Sequence, residues 1–341
     1  MITTILVYAG IPLVLLLAWI NGANNAGNVI GVAVGARSIS AKRALQLAFI
    51  FEIVGAVLLG HYVSTTIMRG IIDPAEISRE ILVIGVLIIA SSSTIWMFIA
   101  TYLRVPLSVT QAVVGGIVGF GLVTLGVNGV AWSRLVSILF SWILTLLLAV
   151  LISLLLYKLY TTTLLYVRSN FTLLSLFSSL LYTCIAITLL LVTSSIDNLL
   201  LSLTMSLLAP IPLITLYTRV IKRTMSRDHY EARYSINKHL LLVSASLAAF
   251  SHGAHDVGAS AGLLQLLLFS NLTSNVENLA ESNVSKIVLL VSGFTIALGM
   301  LKWGYRVLGT IAERITPLTP ESGFTAQLSA AFTMLVVTRM G

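Results

Sequence analysis

Charge, cysteine and an N-terminal basic cluster are what this 341-residue chain has least of. Asp, Glu, Lys and Arg make up 9% of it, against about 25% in ordinary soluble domains. That scarcity excludes a soluble globular protein, and no stretch reads as an attached catalytic or nucleotide-binding domain. Cys184 is the single cysteine, so an intramolecular disulfide and a Cys-based zinc site are excluded. In its apolar run it reads as a small buried hydrophobe. The first basic residue is Arg37. A cleaved signal peptide needs positive charge ahead of its apolar stretch, so the first segment is expected to stay in the mature protein.

What is present is apolar sequence, 57% of the chain. Residues 1–36, 81–103, 105–133, 135–157, 169–196, 198–218, 257–276, 287–301 and 322–338 contain no charged side chain. A membrane-crossing helix needs about 20 such residues. The runs are Leu, Ile and Val on all sides, whereas a transmembrane barrel would alternate. The expectation is an all-α integral membrane protein, multi-pass in the cell membrane.

The segment from Arg219 to Lys238 holds six basic residues against Asp228 and Glu231. By the positive-inside rule this loop, 219–239, is cytoplasmic. The loop from Asn271 to Ser285 has Glu277 and Glu281 and no basic residue, so it faces out. Placing Arg37, Arg104, Lys158, Arg168 and Lys302 inside gives about ten crossings with an external N-terminus. The alternatives for the basic loop are nucleic-acid or anionic-lipid binding; it reads as solvated, and nucleic acid is not an expected partner. The sequons at Asn170, Asn271 and Asn283 carry little weight.

An internal repeat is visible. A shift of 231 places Leu16, Ala18, Gly22, Ala23, Gly27 and Gly31 on Leu247, Ala249, Gly253, Ala254, Gly258 and Gly262. A shift of 244 places Gly55, Gly60, Val63 and Thr66 on Gly299, Gly304, Val307 and Thr310. The charge map runs the first copy inward and the second outward, so the repeats are inverted, as in many secondary transporters. The division is 1–127 for the first repeat, 128–218 for middle helices, 219–239 for the loop and 240–341 for the second repeat.

Each repeat carries polar residues at membrane depth. The first has Asn21, Asn24, Asn25 and Asn28 among Gly22 and Gly27; the second has His252, His255, Asp256 and Ser260 among Gly253 and Gly258. Such groups must face protein, water or a ligand. The glycines suggest broken helices, whose free carbonyls suit a cation and whose free N–H groups suit an anion. Small-residue packing would explain the glycines but not Asp256. A third group, Pro106, Ser108, Thr110 and Gln111, followed by Gly115, Gly116, Gly119 and Gly121, suits a re-entrant hairpin over 106–121 whose hydroxyls donate to an oxyanion; N-capping explains them equally well. Glu52, an acid within an apolar helix, is a proton or cation relay candidate, and a tie to a neighbouring helix accounts for it as well.

At these residues the chain resembles the PiT family of inorganic phosphate transporters, which carries two GANDVAN-type motifs in inverted repeats, each repeat with a PxSTTH-type hairpin. Gly22 to Asn28 matches the first motif, Gly253 to Ala259 the second, and Pro106, Ser108 and Thr110 the first hairpin. The stretch from Phe51 to Asp73 and that from Thr316 to Ala330 also match. The resemblance implies phosphate symport with Na+ or H+ by alternating access, with no other cofactor and no enzyme activity. There are departures: Asn25 for Asp, His255 for Asn, Ala259 for the closing Asn, Val109 for Thr and Gln111 for His. Losing one carboxylate lowers a cation site's charge, so either fewer ions couple or His255 becomes a proton carrier. The chain ends at Gly341, where the family continues into its second hairpin, and the expectation is a sequence cut short there.

The resulting expectation is a symporter for a tetrahedral oxyanion. Asn25, Asn28, Ser108, Thr110, Asp256 and Ser260 bind substrate. Asn24, Asn25, His255 and Asp256 serve the coupling ion, with Na+ placed at Asn25 and Asp256, and Glu52 and Gln111 are relays. Sulfate is the alternative substrate and a passive anion channel the alternative mechanism; a membrane-embedded assembly or lipid-processing protein lacks the second polar cluster it would need. Partners are the anion and the lipid bilayer, and the class leaves room for a homodimer.

Overall fold

The computed structural model describes residues 2–194, 198–269, 282–314 and 318–340. The expected outer loop with Asn271, Glu277 and Glu281, the Thr316–Pro317 pair and Gly341 lie outside the described residues. Among the described residues all regular structure is helical. In chain order these are α1 (Ile2–Gly35), α2 (Ala41–Arg69), α3 (Arg79–Tyr102), α4 (Val109–Thr124), α5 (Trp132–Tyr166) and α6 (Asn170–Thr193). They continue as α7 (Leu199–Leu208), α8 (Pro210–Thr224), α9 (His229–Phe269), α10 (Asn283–Trp303), α11 (Tyr305–Arg314) and α12 (Pro320–Met340). In lipid every backbone N–H and C=O must be satisfied internally, and a helix does so within one segment.

Seven helical stretches among the described residues are long and apolar enough to cross a membrane: α1, α2, α3, α5, α6, the α7–α8 pair and α10. At 16 residues α4 is shorter, about 24 Å at 1.5 Å per residue against a hydrocarbon core of about 30 Å. The region expected as a hairpin is thus a turn at 103–108 leading into a short helix. The outward face of α5 exposes Phe140, Leu146 and Leu151. Such side chains lose nothing against lipid tails as apolar as themselves.

The expected helix breaks at the two polar motifs do not occur. α1 runs unbroken through Gly22–Asn28, and α9 continues for 41 residues through Gly253–Ala259. The glycines serve close approach instead. A Cβ on Gly22 would lie 1.8 Å from the Ile296 carbonyl oxygen, and one on Gly299 would lie 1.8 Å from that of Trp19. A Cβ on Gly55 would lie 1.9 Å from the Phe250 oxygen, and one on Gly253 would lie 2.0 Å from that of Glu52. So α1 locks against α10 and α2 against α9, backbone to backbone, as small residues permit in membranes. The motif carbonyls therefore remain in their helices, and side chains must supply the ligands.

The core is centred on α9, which packs against α2, α12, α1 and α10. α1 also contacts α3 and α11, and α12 bridges α9 and α5. The Trp19 and Trp303 rings stack at 5.3 Å beside the α1–α10 contact.

Candidate functional site

On α1, Asn21, Asn24 and Asn25 are buried; on α9, His252, Asp256 and Ser260 are buried. Spacing of four residues puts Asn21 with Asn25, and His252 with Asp256, on one face of each helix. The two faces meet. Asn25 donates through Nδ2 to Oδ1 of Asn21 at 2.8 Å and to Oδ2 of Asp256 at 3.5 Å. Its own Oδ1 accepts from Asn28 Nδ2 at 2.8 Å, and Asn28 is exposed at the end of this chain of amides.

Asp256 also belongs to a charged triad. His252 places Nδ1 at 2.6 Å from Oε1 of Glu52 and Nε2 at 3.1 Å from Oδ2 of Asp256. The first contact is a hydrogen bond; the second is an ion pair across one turn of α9. Glu52 is fully buried and its Oε2 has no hydrogen-bond partner. A buried charge is tolerable only when paired, so one imidazole between two carboxylates forms an electrostatic unit that links α2 to α9. The acid read from sequence as a relay candidate is in that unit. His252 and Asn21 were missed as site residues, though the spacing of four was a usable signal.

Two expected neighbours of Asp256 are engaged elsewhere. Asn24 donates through Nδ2 to Thr101 Oγ1 at 3.0 Å and to the Val105 carbonyl at 2.9 Å, while its Oδ1 accepts from the Leu107 N–H at 2.7 Å. It pins the turn between α3 and α4. His255 contacts Thr338 Oγ1 on α12 through Nδ1 at 3.1 Å. The reason is helical continuity: adjacent residues on an unbroken helix point about 100° apart, so Asn24 and His255 face away from the Asn25–Asp256 contact.

The turn pinned by Asn24 leads into the first turn of α4. Arg104 closes α3 in the left-handed region at φ 62°. Ser108 caps α4 by accepting from the Gln111 N–H at 3.3 Å. Thr110 is buried, and Ser108 and Gln111 are exposed. Ser260 donates back to the Val257 carbonyl at 3.3 Å. A helix N-terminus with capping hydroxyl and free N–H groups suits an anion, and Asn24 ties it to the motif helix.

Membrane-length helices around a buried, charged site built from α1, α2 and α9 define a multi-pass membrane protein with a polar site in its interior. Comparison with known proteins gives the family. The sequence model of the phosphate transporter family matches residues 21–341, and the chain belongs to that family. It is 33% identical to a protein of Pyrococcus abyssi described as a candidate phosphate permease, over 96% of this chain and 82% of that one. It is 28% identical to the chloroplastic inorganic phosphate transporter 2-1 of Arabidopsis thaliana, over 99% of this chain and 63% of that one. A solved structure titled the sodium-dependent phosphate transporter superposes with a TM-score of 0.90 at 29% identity, covering 98% of this chain and 84% of the other. These relatives are named as permeases and transporters, not enzymes.

Proposed function

We propose that this chain carries inorganic phosphate across a membrane as a symporter driven by a cation. The observation that carries the reading is the meeting of Asn25 and Asp256, one from each copy of the polar motif, in a member of the phosphate transporter family. Asp256 is the acid assigned to the driving ion. Asn25 is placed to sense whether Asp256 is free or engaged, because its amide lies against the carboxylate. The anion is assigned to the start of α4, with Ser108 and Thr110 as donors and Asn28 at the exposed end of the amide chain.

Na+ is the first driving ion, supported by the likeness to the sodium-dependent transporter. The oxygens of Asn21, Asn25 and Asp256 are the kind of hard ligand such a cation takes. H+ is a second reading, favoured by the imidazole held between two carboxylates and by the unpartnered Oε2 of Glu52. A proton entering the triad changes its net charge without any new ligand. The inverted repeats are part of the proposal. Support comes from the glycine contacts: the shifts of 231 and 244 carry the Gly22–Gly299 pair onto the Gly253–Gly55 pair.

The test is uptake of labelled phosphate and labelled sulfate into proteoliposomes, with Na+ and pH gradients imposed separately. Phosphate accumulation under one gradient identifies the driving ion. Sulfate accumulation would make the departures at Asn25 and His255 a specificity change. Equilibration without accumulation would replace the symporter by a channel.

A further inference from the structure

Away from the polar site, a cavity of about 540 Å³ separates α6 and α8 from α2 and α9, within the range of about 300–1,000 Å³ that encloses sizeable ligands. Its walls include Phe51 and Leu58 of α2, Leu181 of α6, Leu216 of α8, and Val243 and Phe250 of α9. The hydroxyls in the walls are turned into their own helices: Thr188 donates to the Cys184 carbonyl at 2.8 Å and Ser246 to that of Leu242 at 2.9 Å. Tyr217 is spent on Nδ1 of His239 at 2.9 Å. The interior therefore offers an occupant only carbon and the weakly polar thiol of Cys184. A phosphate or other small anion would lose its hydration there with nothing in return.

Beyond the lining residues at one end of this cavity, α8 becomes basic. The α8 wall is a stripe of Leu213, Leu216, Tyr217 and Val220 at helical spacing. Continued by three and four residues, the stripe reaches Arg223 and Thr224, and Arg219 stands one turn before Arg223. Arg219, Lys222 and Arg223 are all exposed. An apolar slot ending beneath clustered cations in a membrane-spanning chain is complementary to a molecule with an apolar tail and an anionic head. Clusters of basic residues next to membrane helices attract anionic lipid heads.

We propose that the cavity holds an acyl chain of an anionic phospholipid whose headgroup is bound by Arg219 and Arg223. The walls α2 and α9 carry Glu52 and His252, so the lipid would lie against the outer faces of the helices that hold the triad. Phe51 and Phe250, which line the cavity, are one and two positions from Glu52 and His252 in the chain.

The test is native mass spectrometry of the full chain released from mild detergent, with phosphatidylglycerol and phosphatidylcholine of identical acyl chains added in competition. Preferential retention of phosphatidylglycerol is expected. The double variant Arg219→Gln, Arg223→Gln should reduce the preference by roughly fivefold per arginine while leaving the unfolding temperature in detergent unchanged. Val243→Trp should fill the slot and reduce retention of both lipids; Ser246→Leu gives the same readout with a smaller added volume should the tryptophan variant not fold. Equal retention of the two lipids, a preference that survives loss of both arginines, or full retention in a folded slot-filled variant would each overturn the proposal. So would a dimer mass that disappears on filling the slot, which would make a second copy the occupant.

Discussion

The imidazole Nδ1 of His252 lies 2.6 Å from Oε1 of Glu52, joining two buried residues from α9 and α2 that are 200 positions apart in the chain. Beside that contact, α2 and α9 touch backbone to backbone at Gly55 and Gly253. The polar contact is thus held in a seam that admits no Cβ. Removing His252 leaves Glu52 without its counterpart where water cannot replace it, and removing Glu52 leaves the imidazole to Asp256 alone.

Glu52→Gln keeps a hydrogen-bonding group opposite His252 and removes the charge. Phosphate uptake in proteoliposomes is expected to fall at least about tenfold, with the folded state retained. Glu52→Ala removes one of the two carboxylates that pair the imidazole and should cost about 3–5 kcal/mol, the usual penalty for breaking a buried pair, read as a lower unfolding temperature in detergent. If H+ drives transport, Glu52→Gln should also flatten the pH profile; under Na+ coupling the profile keeps its shape at reduced amplitude.

Asn25→Asp restores the carboxylate that the resembling family has at this position. It places two acids at hydrogen-bond distance, and their repulsion is relieved when a cation sits between them. The sodium concentration for half-maximal thermal stabilisation should drop about tenfold, about 1.4 kcal/mol in binding, while the sodium-free protein melts earlier. An unchanged sodium response would remove Asn25 from the cation site.

Asn24→Ala deletes the three hydrogen bonds that pin the α3–α4 turn. A buried partner left unsatisfied costs about 1–3 kcal/mol, so the turn should loosen. Phosphate half-saturation should rise and the sodium response should hold, because Asn24 stands clear of Asp256. Asn24→Asp keeps the acceptor for the Leu107 N–H and should recover part of the loss. Hydrogen exchange over 101–108 reports the loosening directly.

Gly22→Val and Gly253→Val place carbon 1.8 Å and 2.0 Å from a backbone carbonyl oxygen of the facing helix. Backbone cannot yield as a side-chain tip can, and overpacking costs about 1–3 kcal/mol or more. Both variants should fail to give folded protein in size-exclusion chromatography. Gly115→Ala, with no atom within 4 Å of the added carbon, serves as a tolerated control.

Much of the architecture was legible in the charge-free runs, because hydrocarbon dictates helices wherever charge is absent. The Asn25–Asp256 meeting was legible too, through the repeat that makes these residues counterparts. Helical continuity was not. A glycine permits a break and permits close packing, and only the facing carbonyls of Ile296 and Glu52 decide between them. Asn24 and His255 were grouped with Asp256 as its neighbours in the two motifs; on continuous helices their side chains turn to Leu107 and Thr338. The pairing of His252 with Asp256 was readable from their spacing of four; its tie to Glu52 was hidden because that partner lies 200 residues away.

Uptake of labelled phosphate into proteoliposomes carrying the unaltered chain or Asp256→Asn, under imposed Na+ and pH gradients, tests the central claim most directly. Accumulation above the external concentration by the unaltered chain under one gradient, abolished by Asp256→Asn in folded protein, is the predicted result. Equal accumulation by the variant, or gradient-independent equilibration by the unaltered chain, would contradict it.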